Sequence, residues 1–226
     1  LPSVAAELAR ELATTEWGDE PPMVLHTSGA TSVAALAACQ KAGARTLVFH
    51  PLQTFSEPVS GARRFPGTAV AVTASGAAAD AVALQAGFAL AEALDARPFH
   101  LPDDKRALYH AAATVACNYL VTLQHSAERL FVGAGMPEEE ALSLFLPLVR
   151  ATLENLATQG AVAALTGPLS RGDCDTIQAH LAALQAEAPH LLPLYSELGL
   201  LTLDLVEARG KVGPAALAEL RHLLTS

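Results

Sequence analysis

The first hundred residues alternate between two hydrophobic periods, and the alternation stops at Pro102. "VAAELARELA" (4–13) reads as helix, "PPMVLHTSG" (21–29) as a short buried strand ending in turn residues, and "ATSVAALAACQKAG" (30–43) as a helix halted by Gly43. "RTLVFHP" (45–51) and "GTAVAVTASG" (67–76) give two more strands. "AAADAVALQAGFALAEAL" (77–94) gives a helix and "ARPFHLP" (96–102) a last short strand. Helices interleaved with apolar strands specify a parallel α/β sheet. Beyond residue 102 only helical patterns follow, at about 104–133, 137–158, 173–187, 190–208 and 214–224, with breaks at "GAGMP", "TGPLSRGD", "EAP" and "RGKVGP". The expected class is α/β plus all-α, with a sheet domain over 1–102 and a helical domain over 103–226.

Composition removes several function classes. Fourteen Lys and Arg against 23 Asp and Glu leave a net charge of −9 with no basic cluster, which argues against a nucleic-acid surface. Cys39, Cys117 and Cys174 are scattered, without a CxxC pair, so neither a disulfide framework nor structural zinc is expected, and a reducing cytoplasm fits. No apolar run reaches the roughly 18 residues of a membrane span, and no signal peptide is legible. The sequence contains no GxSxG elbow, no HxH or HExxH metal spacing and no GxGxxG pyrophosphate loop, so no metal is expected.

Four stretches carry polar residues where chemistry is possible. "YHAAATVACNYL" (109–120) is an oily segment bearing His110, Thr114 and Asn118, which fall within about 80° on an ideal helix; Thr122 and His125 widen the row to roughly 120°. Such a stripe is either a hydrogen-bonded core feature or the wall of a site. "LHTSGA" (25–30) runs a strand into a polar turn with His26 and Ser28, at the strand end where open α/β sheets bind ligands. It also reads simply as a strand-to-helix turn with an N-cap. "VFHPLQTF" (48–55) ends the next strand with His50, followed by Gln53 and Thr54, and two successive strands ending in histidine suggest that at least one faces a ligand. "TGPLSRGD" (166–173) reads as a helix connection, or as Arg171 with a helix N-terminus holding a carboxylate or phosphate.

Taken in order, "LHTSGA", "FHPLQTF", "K..LYHAAATVACNYLVTL", "LVRATLENL" and "ALTGPLSRGD" resemble bacterial two-domain oxidoreductases with a C-terminal domain of unknown function (number 2520). The resemblance runs over nearly the whole chain. It implies a partial Rossmann-like sheet followed by a helical domain like that closing 6-phosphogluconate dehydrogenase. Pyrroline-5-carboxylate reductase, prephenate dehydrogenase and ketopantoate reductase are the broader relatives. It also implies that the glycine-rich unit precedes the segment matching residues 1–20, so this chain is expected to lack it and to bind NADP or NAD weakly or not at all.

The same resemblance places the first long helix of the C-terminal domain along a substrate cleft beside the nicotinamide. Lys105, His110 and Asn118 are then the catalytic candidates, and Lys105, Tyr109 and His110 all remain open as the acid. His26, Ser28, His50, Thr54 and Arg171 are the substrate-binding candidates. The expected activity is NAD(P)-dependent oxidoreduction of a small 2-oxo or 2-hydroxy acid, ketopantoate-reductase-like, in a homodimer. The rivals are a non-catalytic ligand-binding or dimeric assembly module, and a structural fragment without activity of its own.

Overall fold

The computed structural model describes residues 1–17, 20–55, 57–75 and 81–226. Four short strands, β1 (Met23–His26), β2 (Arg45–Pro51), β3 (Ala69–Ala74) and β4 (Arg97–His100), form one sheet in the order β1-β2-β3-β4. β2 and β3 are buried along their apolar centres; Leu47, Val48, Val70, Ala71 and Val72 are wholly inaccessible. β1 pairs with β2 and β3 with β4 in parallel, but β2 and β3 are antiparallel, with His50 opposite Ala71. The all-parallel expectation fails at that pair. Among the described residues, the chain between β2 and β3 carries only the five-residue helix α3 (Pro58–Ala62), not the full crossover helix with which a parallel return is usually made.

Around this sheet lie α1 (Pro2–Thr14), α2 (Ala37–Lys41) and α4 (Ala81–Ala93). The turn into α2 is tighter than a continuous helix over 30–43 would give, since Val33–Leu36 is a 3₁₀ turn. One core joins α1 to α2 through Ala5, Leu12, Leu36 and Cys39, and a second joins α4 to the sheet through Leu47, Val70, Val72, Ala83 and Ala91. The close approach of α4 depends on Gly87, where a Cβ would meet Val72 Cγ1 at 2.6 Å. Gly76 of the expected strand and residues 77–80 of the expected helix lie outside the described residues.

The expected long helix over 104–133 is interrupted. After a 3₁₀ turn at Asp103–Lys105 come α5 (Arg106–Ala113), one π-helical turn at Thr114–Asn118, and α6 (Tyr119–Gly133). A π turn inserts one residue, so Asn118 is set back by about 100° from the position an unbroken helix would give it relative to His110. The remaining helices are α7 (Ala141–Gln159), α8 (Ala161–Ala164), α9 (Cys174–Glu187), α10 (Leu192–Arg209) and α11 (Pro214–Thr225).

The chain divides into two compact units, Leu1–Tyr119 and Leu120–Ser226. The first extends past the boundary read from the sequence at residue 102, because side chains of α5 are bonded to the sheet and its loops. The second is held by Ile177, Leu203, Leu220 and Leu224, where α9, α10 and α11 meet. It also contains an apolar cavity of about 660 Å³ bordered by Phe131, His180 and Tyr195. No helix among the described residues is long and apolar enough to cross a membrane.

Candidate active site

The site lies within the first unit, where the loop after β1 meets the end of β2 and the start of α5. His26 ends β1 and is buried. Its Nδ1 accepts the Ser28 N–H at 3.2 Å and its Nε2 lies 3.2 Å from the Ser32 carbonyl, so both ring nitrogens fasten the loop. That pattern needs a neutral ring, and burial lowers the His26 pKa accordingly. Ser28 closes the same loop, its hydroxyl 2.7 Å from Thr31 Oγ1. Both residues shape the turn with the groups the sequence reading assigned to substrate.

Two residues from the segment after β4 strap this loop down. Asp103 accepts the Ser32 hydroxyl at 2.5 Å and the Val33 N–H at 3.0 Å, so its carboxylate occupies the start of the 3₁₀ turn. Arg106 is only 2% exposed. It donates from Nη1 to Thr73 Oγ1 at 2.8 Å and from Nη2 to the Ser28 carbonyl at 2.9 Å, while Nε is buried without a partner among the described residues. Thr73 passes the chain on by donating to the Leu101 carbonyl. Burial lowers the Arg106 pKa, with the Asp103 charge opposing that shift.

Arg106, Tyr109 and His110 share one face of α5 by their i, i+3, i+4 spacing. Tyr109 Oη lies 2.9 Å from His50 Nδ1, and the rings meet edge to face at 5.5 Å. Among the described residues this is the hydrogen bond Tyr109 makes through its hydroxyl. Burial raises its pKa, so the phenol keeps its proton and is satisfied by donating it to Nδ1. His50 then carries its own proton on Nε2. Burial first, then the charges of Arg106 and His110, push the His50 pKa down from 6.5 to about 4, so the ring is neutral near pH 7.

The two imidazoles converge at Gly29. A Cβ on that residue would lie 2.7 Å from His50 Nε2 and 2.7 Å from His110 Nδ1. The nitrogens are therefore close enough for a single oxygen atom, at ordinary hydrogen-bond lengths, to touch both. His50 is half-buried and His110 exposed, so the pair is open to solvent. A neutral donor beside a second imidazole is suited to holding a carbonyl or hydroxyl oxygen and moving its proton.

The other candidates make contacts of their own. Lys105 is exposed and pairs with Asp104 at 3.1 Å. Asn118 is exposed at the end of the π turn. Thr54 takes Nη1 of Arg64 on its hydroxyl at 2.9 Å. Arg171 belongs to the second unit, exposed and 3.6 Å from Asp173, which caps α9 by accepting the Thr176 N–H. Gly29, Asp103 and Arg106 were missed from the sequence. The signals were an arginine on the same face as Tyr109 and His110 at the start of an oily helix, and a glycine directly after two polar loop residues, Thr27 and Ser28.

A family model described as a domain of unknown function (DUF2520) matches residues 73–202. No protein among those curated for function matches the chain. Among solved structures the chain is similar to protein TM1727 from Thermotoga maritima, at 24% identity and TM-score 0.71, covering 90% of this chain and 74% of that one. It is also similar to a candidate NADP oxidoreductase, BF3122, from Bacteroides fragilis, at 25% identity and TM-score 0.65, covering 91% and 72%. A pyrroline carboxylate reductase from Plasmodium falciparum, solved with NADP bound, shares the fold at 10% identity and TM-score 0.52, covering 98% and 75%.

Gly29→Ala tests the convergence. The added methyl must push the two ring ends apart, which costs little stability because His110 is exposed and free to give. Side-chain NMR signals of His50 and His110 are expected to move while those of His180 in the second unit stay. Unchanged His50 and His110 signals would contradict the geometry.

Proposed function

The chain belongs to the DUF2520 family, and we propose that it carries the substrate site of an NADP-dependent oxidoreductase, with His50 and His110 holding one substrate oxygen between them. The observation that carries this reading is the approach of both ring nitrogens to Gly29. The resemblance to BF3122, named as a candidate NADP oxidoreductase, supports the redox class. A small 2-oxo or 2-hydroxy acid, ketopantoate-like, is the proposed substrate.

NADP(H) supplies or takes the hydride in such a reaction. The turn after β1 does not fit its pyrophosphate, because the carboxylate of Asp103 already takes the Val33 N–H and the Ser32 hydroxyl there, and Ser32 takes the Ala34 N–H. The chain's own residues act on the oxygen. His50 donates from Nε2 to the carbonyl and stays neutral, kept so by burial and by Arg106. His110, exposed beside it, gives the proton to the oxygen as charge develops there, or removes it in the reverse direction. Tyr109 fixes the His50 tautomer, and Arg106 fixes the Ser28–Gly29 backbone beneath both rings. Lys105 and Asn118 border the substrate in this reading.

The filled turn after β1 favours a second reading, a ligand-binding module that uses the same imidazoles without hydride transfer. Turnover separates the two. In the full protein, His110→Ala is expected to lower NADPH-dependent reduction of small 2-oxo acids by about 10²-fold or more. His50→Ala should do so by a similar factor, with little loss of stability in either case. No NADPH oxidation by the unaltered protein across such a panel would favour the binding module, and normal turnover in both variants would remove the catalytic pair.

We also propose a homodimer formed through the helical unit. Leu144, Leu148 and Leu153 of α7 and Leu201 of α10 are exposed, Leu148 by 65% and Leu201 by 64%, more apolar helix surface than a monomer usually shows water. Light scattering is expected to give twice the 23.4 kDa chain mass at tens of micromolar (roughly the range in which a weak dimer forms). The chain mass itself would contradict the dimer.

A further inference from the structure

A cavity of about 480 Å³ opens beside His50 in the first unit. Its apolar wall includes Phe55 and Phe65, whose rings lie 5.3 Å apart and tilted by 33°. Thr27, Gln53 and Glu57 bring polar groups to it. The Gln53 amide is engaged elsewhere, its Oε1 taking the Thr54 N–H at 2.8 Å and its Nε2 lying 3.5 Å from Thr68 Oγ1. Arg64 is turned onto Thr54, bonding its carbonyl at 2.7 Å as well as its hydroxyl. Among the described lining residues, Glu57 is therefore the charged group, and no cation lines the cavity.

We infer that this cavity is the specificity pocket of the same site, and that it takes a substituent with an apolar body and a cationic end, an aminoalkyl chain, in preference to a carboxylate or phosphate. The inference rests on the proposed placement of the reacting oxygen at His50. Aromatic faces attract an ammonium group, and a carboxylate beside them adds a direct charge partner. An anion in the same place would meet Glu57 with no cation to offset the repulsion, in a chain of net charge −9. The Thr27 hydroxyl supplies a neutral acceptor for a further N–H.

The pocket is testable without the substrate. With histidine-labelled full chain, n-butylammonium chloride is expected to shift the His50 signals saturably, and sodium butyrate at equal concentration to leave them in place. Glu57→Gln should weaken butylammonium binding about fivefold, the scale of a solvent-accessible ion pair. Glu57→Lys should turn the preference toward butyrate, with an unchanged His26 signal reporting an intact fold in both variants. The inference is overturned if butyrate binds as well as butylammonium, if Glu57→Gln leaves the affinity unchanged, or if neither probe binds. A butyrate effect confined to His50 and His110 together would overturn the pocket and leave the paired-imidazole reading standing, since that places the anion at Gly29. Loss of turnover in His110→Ala is read separately and does not depend on this pocket.

Discussion

A buried guanidinium bridges the sheet to the loop after β1, and the arrangement of the site follows from it. Desolvating a charge is costly, and one removed from water persists only when hydrogen bonds replace its hydration. Arg106 finds two such bonds, to Thr73 on β3 and to the Ser28 carbonyl, so the loop is fixed to the sheet from the α5 side. Asp103 adds a second tie to the same loop at Ser32 and Val33. Together they hold Gly29 where the His50 and His110 rings meet, and a residue with any side chain would part those rings.

Burial and the same charge together set the chemistry. A half-buried His50 is already poor at holding a proton, and a nearby positive charge makes it poorer. Tyr109 then needs to choose only the tautomer. The outcome is a neutral N–H donor fixed in place next to a more accessible imidazole, a division of roles between two like side chains that differ only in surroundings.

Much of the fold was legible in the alternation of apolar strands and helices. β2 at 45–51 coincides with its sequence reading because its apolar centre, residues 47–49, bounded by polar residues and turns, fits the middle of a sheet. The antiparallel β2–β3 pair was not legible, since strand direction is set by the intervening connection and not by the strand's own pattern. The π turn at Thr114–Asn118 was equally hidden, because its residues suit an α-helix and the extra residue appears only in the backbone hydrogen bonds. Of the site, His50 and His110 were visible as polar residues in oily segments. Their contact was not, because it joins residues far apart in the chain at a glycine with no side chain to mark it. His26 looked equivalent to His50 in sequence; its ring nitrogens are claimed by a loop whose path only the fold reveals.

The central claim, a neutral His50 fixed by Tyr109 under the charge of Arg106, is tested most directly by a nitrogen-15 NMR titration of the histidine side chains. Because the folded pKa of about 4 lies below the ordinary 6.5, the unfolded chain takes up the proton first. The contribution of His50 to stability is thus fully present above about pH 6.5 and is lost as the pH falls from there toward 4. The account predicts one neutral tautomer, with the proton on Nε2 and none on Nδ1, persisting down to about pH 5 (roughly one unit above the shifted pKa), and an earlier titration in Arg106→Met. A His50 that titrates near 6.5, or that carries its proton on Nδ1, would contradict it.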